Sequence, residues 1–247
     1  MPVFKIDFHS HYLQRAQTVN VYVPNGYQGD YKDLNVVFLL HGMMGFHESW
    51  IYLGNAIRTA DKYNVALIMP AEENSYGLPN KSGCDYEKYL MQEVFEYTHK
   101  WLNFSKDKSK NFIAGLSMGG YMAINLALRY PNHFSYVGAF SPVVDLNIMS
   151  TTTEPDLNNP FVRVLYGVFG GIDMKTSDLN LVNVAAAKKP FPRLYLYCGQ
   201  SDGLYPGCKK LYDLLKENNQ DVEFYEDDGD HTWDRWETQL QRFLERI

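Results

Sequence analysis

Six mostly apolar runs of strand length punctuate the chain: 36–40, 65–69, 112–114, 137–140, 194–198 and 222–225. Runs of this kind, bounded by turn residues, predict strands covered on both faces, as in a largely parallel sheet. Between them lie two stretches with helical spacing. One is the stripe Tyr86, Leu90, Val94, Tyr97 and Trp101, the other Trp233, Trp236, Leu240, Phe243 and Ile247. Strand and helix alternating through most of the chain predict an α/β architecture with helices on both faces of one sheet. Residues 3–9 and 18–23 alternate apolar with polar instead, which predicts an antiparallel hairpin at the sheet edge. Residues 142–190 are the longest interval without a strand and read as a cap-like insertion of short helices. With no repeat, low-complexity tract or linker, residues 1–247 read as a single domain.

Composition narrows the partners. A net charge of −6 with no basic run argues against recognition of nucleic acid through its phosphates. No stretch approaches the roughly 20 apolar residues that a membrane helix needs. The chain enters its first strand without a basic-then-apolar leader, and its 3 cysteines are too scattered for a disulfide framework or a zinc site. A cytoplasmic, reduced protein is therefore expected, and a homo-oligomer is left open.

Gly115-Leu116-Ser117-Met118-Gly119 has the Gly-x-Ser-x-Gly form of a nucleophile elbow. The pattern is short, but an apolar strand runs into it and a helix rich in small residues follows. Those are the flanks the motif needs if the serine is to stand on a strained strand-to-helix turn. Glycines on either side avoid clashes there, and the helix N-terminus favours developing negative charge. His41-Gly42-Met43-Met44-Gly45 follows another strand end. It can bring the Met43 N–H beside that of Met118 as a pair of oxyanion donors. His41 is expected to hydrogen-bond locally and hold this loop.

An elbow of this type is followed in chain order by an acid and then a histidine, an order that belongs to the α/β-hydrolase fold. The run 194–198 leads into Gly199-Gln200-Ser201-Asp202, which makes Asp202 the candidate acid. Asp145 and Asp173 also follow Ser117, but neither closes a clear strand. His231 lies after the last strand and is the only histidine beyond position 133, which makes it the candidate base. Trp50 and Tyr121, close in sequence to the oxyanion loop and the serine, are candidate substrate contacts.

A rival reading starts from His9-Ser10-His11, since a His-x-His after an early strand can open a metal-dependent hydrolase. The rival needs further histidines at later strand ends. His41, His47, His99 and His133 lack that setting, and alternation puts His9 and His11 on an exposed strand face. No metal site is expected. A hydrolase-fold binding protein without catalysis is disfavoured, because nucleophile, donors, acid and base are all present.

The chain resembles the bacterial tributyrin esterases of the wider esterase group that includes S-formylglutathione hydrolases, feruloyl esterases and mycolyltransferases. The resemblance rests on residues 41–45 with Trp50, 113–121, Tyr166-Gly167-Val168-Phe169-Gly170, Cys198-Gly199-Gln200-Ser201-Asp202, and Gly229-Asp230-His231-Thr232-Trp233 with Trp236. It implies an α/β-hydrolase that cleaves small short-chain acyl esters with a Ser117–His231–Asp202 triad and no metal or organic cofactor. Met43-Met44 stand where S-formylglutathione hydrolases usually carry a cysteine, which counts against that activity. Feruloyl or acetyl-xylan esterase is the alternative, because fold and triad do not choose the ester.

Overall fold

The computed structural model describes residues 2–149 and 156–247. The strands are β1 (Val3–Ser10), β2 (Arg15–Tyr22), β3 (Asn35–Leu40), β4 (Val65–Pro70), β5 (Asn111–Leu116), β6 (Tyr136–Phe140), β7 (Leu194–Tyr197) and β8 (Val222–Tyr225). The helices are α1 (Ser49–Tyr52), α2 (Ala56–Tyr63), α3 (Tyr86–Lys88), α4 (Glu96–Leu102), α5 (Met118–Arg129), α6 (Pro160–Phe169), α7 (Leu181–Ala186), α8 (Tyr205–Glu217) and α9 (Trp233–Leu244). The strands form one 8-stranded sheet in the order β1-β2-β4-β3-β5-β6-β7-β8. From β4 to β8 every neighbouring pair is parallel, whereas β1–β2 and β2–β4 are antiparallel. This is the α/β-hydrolase fold.

The apolar runs became strands because both faces of the sheet are covered. One apolar cluster packs β3, β4, β5 and β6 residues against Trp50, Ala56, Ala60, Leu240 and Phe243 of α1, α2 and α9. A larger cluster on the other face joins Tyr89, Val94, Tyr121, Ile124, Leu181 and Leu211 from the remaining helices. The predicted hairpin is present, but of its two strands only β1 is an edge. β2 lies inside the sheet, its outer half paired with β4 at Val19–Tyr22.

The helical stripe from Tyr86 to Trp101 is followed only in part. Between α3 and α4 the chain makes a π-helical stretch, Tyr89–Phe95. A π turn inserts extra residues per turn and rotates the buried face. Tyr86, Leu90 and Val94 are buried as the spacing predicts, but in α4 the buried residues are Thr98 and His99 while Trp101 is 47% exposed. His99 is accommodated there by Phe95 O and Asn111 Oδ1, each 2.7 Å from a ring nitrogen.

The strandless interval 142–190 carries a short 3-10 turn, Leu146–Met149, then α6 and α7. Residues 150–155 of that expected cap lie outside the described residues. Leu165, Val168 and Phe169 of α6 are buried, with the Phe169 ring 4.8 Å from Tyr76. Most of the apolar side of this helix is therefore used in the core, while Phe161 at its start is 51% exposed. Among the described residues, no helix is long and apolar enough to cross a membrane.

Candidate active site

Ser117 stands between the end of β5 and the start of α5 with φ 53° and ψ −116°. An L-residue adopts that backbone only under strain of about 1–3 kcal/mol, which the surrounding packing must hold. The flanking glycines show how. A Cβ on Gly115 would lie 2.5 Å from the Gly119 backbone, and one on Gly119 would lie 2.5 Å from His41 O. The turn therefore closes on itself and against the oxyanion loop with no room for side chains. Ser117 N–H donates to Phe140 O at 2.8 Å, which ties the elbow to the end of β6.

Asp202 follows β7 and His231 follows β8, so both stand beyond the carboxyl ends of parallel strands, as Ser117 does. His231 Nδ1 is 2.7 Å from Asp202 Oδ2. A carboxylate oxygen accepts, so this contact puts the ring proton on Nδ1 and leaves Nε2 as the basic nitrogen. The Asp202 side chain is 2% exposed and that of His231 35%, so the acid is enclosed and the base faces the open side. Burial opposes the Asp202 charge. Hydrogen bonds from His231 and the Leu204 N–H, the His231 charge and Ser141 outweigh it and hold this carboxyl below its ordinary pKa. Ser117 Oγ makes no hydrogen bond to His231 in this structure. The two turns that carry acid and base are bonded to each other: Ser201 N–H donates to Gly229 O at 3.0 Å and Gln200 N–H to Asp227 O at 2.8 Å.

A serine outside the sequence-based set completes this network. Ser141, in the left-handed region at φ 48°, accepts from Trp236 Nε1 at 3.2 Å and contacts Asp202. Trp236 in turn sets its ring edge-on to His231 at 4.8 Å. The signal for Ser141 was its position directly after the buried run 137–140. No nearby motif pointed to it.

Gly42 lies against the elbow, where a Cβ would meet Leu116 Cδ1 at 2.4 Å and Ser117 Cβ at 3.4 Å. Neither the Met43 N–H nor the Met118 N–H has an acceptor among the described residues. The Met118 N–H opens α5, where backbone N–H groups have no helical partner. His41 holds the loop as expected, with Nδ1 2.7 Å from Gly42 O.

Trp50 and Tyr121 correct the expectation made for them. Trp50 is 1% exposed, donates Nε1–H to Leu40 O at 2.9 Å and packs on Trp233. Tyr121 is 0% exposed and donates to Leu179 O at 3.0 Å. Both side chains are enclosed in the core and present no surface to a substrate, because sequence proximity to a turn does not set which way a ring points. His9 and His11 are exposed on β1 and the turn after it. Among the described residues, no group of three or more His, Cys, Asp or Glu is arranged to hold a metal ion.

Comparison with known proteins agrees with this geometry. The family described as "Putative esterase" matches residues 10–247. An acetyl esterase of Caldicellulosiruptor saccharolyticus is 28% identical over 99% of this chain and 97% of its own. A fluorophosphonate-binding serine hydrolase of Staphylococcus aureus superposes with a TM-score of 0.86 at 26% identity, covering 99% of this chain and 97% of that one. An S-formylglutathione hydrolase from the same organism gives a TM-score of 0.82 at 25% identity, covering 99% and 98%.

Proposed function

The chain belongs to the Putative esterase family and is a serine hydrolase of carboxylic esters, and from that premise we propose that it cleaves short-chain acyl esters through an acyl-enzyme on Ser117. The observation that carries the assignment is the strained Ser117 elbow at the α5 N-terminus, on the same sheet end as the His231–Asp202 pair. His231 Nε2 takes the Ser117 proton as Oγ attacks the acyl carbon, and Asp202 stabilises the imidazolium through Nδ1. The N–H groups of Met43 and Met118 receive the oxyanion, each worth about 3–4 kcal/mol in the transition state. Collapse expels the alcohol with the proton from His231. Water, deprotonated by His231, then attacks the acyl-enzyme and releases the acid and Ser117.

Two observations support a short acyl group. A relative that covers 99% of the chain is named an acetyl esterase. In addition, α6 spends Leu165, Val168 and Phe169 in the core, which leaves little of this helix but Phe161 as apolar wall for a long chain. Each methylene that fits gains about 0.8 kcal/mol, and those beyond the wall gain nothing. On p-nitrophenyl esters, kcat/KM is expected to rise from acetyl to about butyryl and then fall. A fluorophosphonate should label the wild type and spare Ser117→Ala. A maximum on long acyl chains would make the protein a lipase, and a strong preference for methyl ferulate over butyrate esters would make it a feruloyl esterase.

A further inference from the structure

We propose that the segment from Glu72 to Ser75 is the positioning element of the oxyanion loop, with Glu72 its anchor, fastening that loop on both sides of Met43 so that the Met43 N–H stays turned toward the acyl carbonyl. The inference rests on the assignment of Met43 as an oxyanion donor. Glu72 follows β4, which pairs with β3 in parallel, so its segment and the oxyanion loop leave the same end of the sheet. Glu72 Oε1 accepts the His41 N–H at 2.6 Å, and Asn74 Oδ1 accepts the Met44 N–H at 2.7 Å. Ser75 Oγ donates to Glu72 O at 2.6 Å and accepts the Gly77 N–H at 3.0 Å, so the clamp is itself held. Met44 has φ 64°, a left-handed conformation that a residue with a side chain leaves unless it is held. The two bonds flank the one N–H of this stretch that must stay free for substrate.

The geometry also fixes the protons. His41 Nδ1 is 2.7 Å from Gly42 O, and a carbonyl only accepts, so the ring proton is on Nδ1. Nε2 is then an acceptor. It receives the Glu72 N–H at 3.4 Å and faces Glu72 Oε2 at 3.6 Å. That oxygen has no hydrogen-bond partner and the residue is 0% exposed. An ionised carboxylate would set lone pair against lone pair in a dry interior, a repulsion that a neutral carboxylic acid removes. Burial acts the same way on both groups, raising the Glu72 pKa and lowering that of His41 to about 4. The contact is therefore a neutral pair and not a salt bridge. Glu72 touches no reacting atom and acts only through the loop.

The test compares Glu72→Leu, Glu72→Gln and Asn74→Ala on p-nitrophenyl acetate, with working sites counted by fluorophosphonate labelled to completion. Glu72→Leu is expected to lower kcat per labelled site by about tenfold to a hundredfold, part of the effect of a whole oxyanion donor, with KM within about twofold. Asn74→Ala should lower kcat by about threefold to tenfold. Glu72→Gln keeps an acceptor for His41 N–H and supplies a donor to Nε2, so it should stay within about threefold of wild type. A merely structural role would instead reduce the number of labelled sites and leave kcat per site unchanged, which overturns the inference. Glu72→Gln as damaging as Glu72→Leu overturns it too. If Glu72→Leu does not fold, Asn74→Ala and Glu72→Gln decide by the same criteria. Ser117→Ala is run in parallel: if it stays labelled and active, the reading of the site beneath this inference has failed and the inference falls with it.

Discussion

Glu72 gives a stability test that does not depend on catalysis. The ordinary value for its carboxyl is 4.5, and burial raises it well above that in the folded chain, with the charge of Glu73 adding to the rise. From pH 4.5 upward the folded protein therefore keeps a proton that the unfolded chain has lost, and stability falls as pH rises. His41 acts in the opposite sense. Burial lowers it from 6.5 to about 4, with His47 adding to the drop, so below pH 6.5 the unfolded chain binds a proton that the folded one refuses. That contribution is lost as pH falls. Between pH 4.5 and 6.5 the two slopes oppose each other, and above 6.5 only the Glu72 slope remains, at about 1.4 kcal/mol per pH unit. Tyr89, raised well above its ordinary pKa by burial, stays protonated in both proteins over the range tested. Urea unfolding of both proteins from pH 6.5 to 8 should show Glu72→Gln gaining on wild type as pH rises. The gain should level off where the folded Glu72 itself ionises. A difference that is flat across the range, or that favours wild type as pH rises, would mean that Glu72 is ionised when folded and would refute the neutral pair.

Asp202→Asn should lower kcat by about ten-thousandfold through loss of the correct His231 tautomer, while Asp145→Asn and Asp173→Asn stay near wild type; the reverse pattern in steady-state kinetics would reassign the acid. In Gly199→Ala the new Cβ would lie 2.1 Å from Gly229 O and force the acid and base turns apart. A lower melting temperature together with reduced kcat is expected, from overpacking that costs about 1–3 kcal/mol; unchanged values would refute that close contact. Ser141→Ala leaves Trp236 Nε1 without its acceptor, so kcat and stability should both fall, the latter by about 1–3 kcal/mol. Changing His9 and His11 together to Ala should leave turnover near wild type, and activity lost but restored by added zinc would overturn the serine mechanism.

Features set by neighbouring residues are legible in the amino-acid sequence itself. The six runs match their strands within a residue or two at each end; five are buried throughout because a strand covered on both faces must be apolar, whereas β8, at the sheet edge, is half-buried. The elbow is legible because Gly115 answers a constraint met within one turn of chain, the Gly119 backbone, whereas the space Gly119 lacks is taken by Leu40 and His41. Asp202 and His231 could be chosen because each lies in the turn after a recognisable strand. Tertiary structure decided what depends on partners distant in sequence. Strand order put β4 between β2 and β3, and no local pattern states that order. The π-helical stretch turned Trp101 outward although its spacing fits the stripe, since one irregular turn rotates every residue after it. Trp50 and Tyr121 were drawn into the core by the layers that close over them. Glu72 meets His41 across 31 positions, and Ser141 meets Trp236 across 95. A buried polar group has to find its partner wherever the fold brings one, so its role is written in the packing and not in its own stretch of sequence.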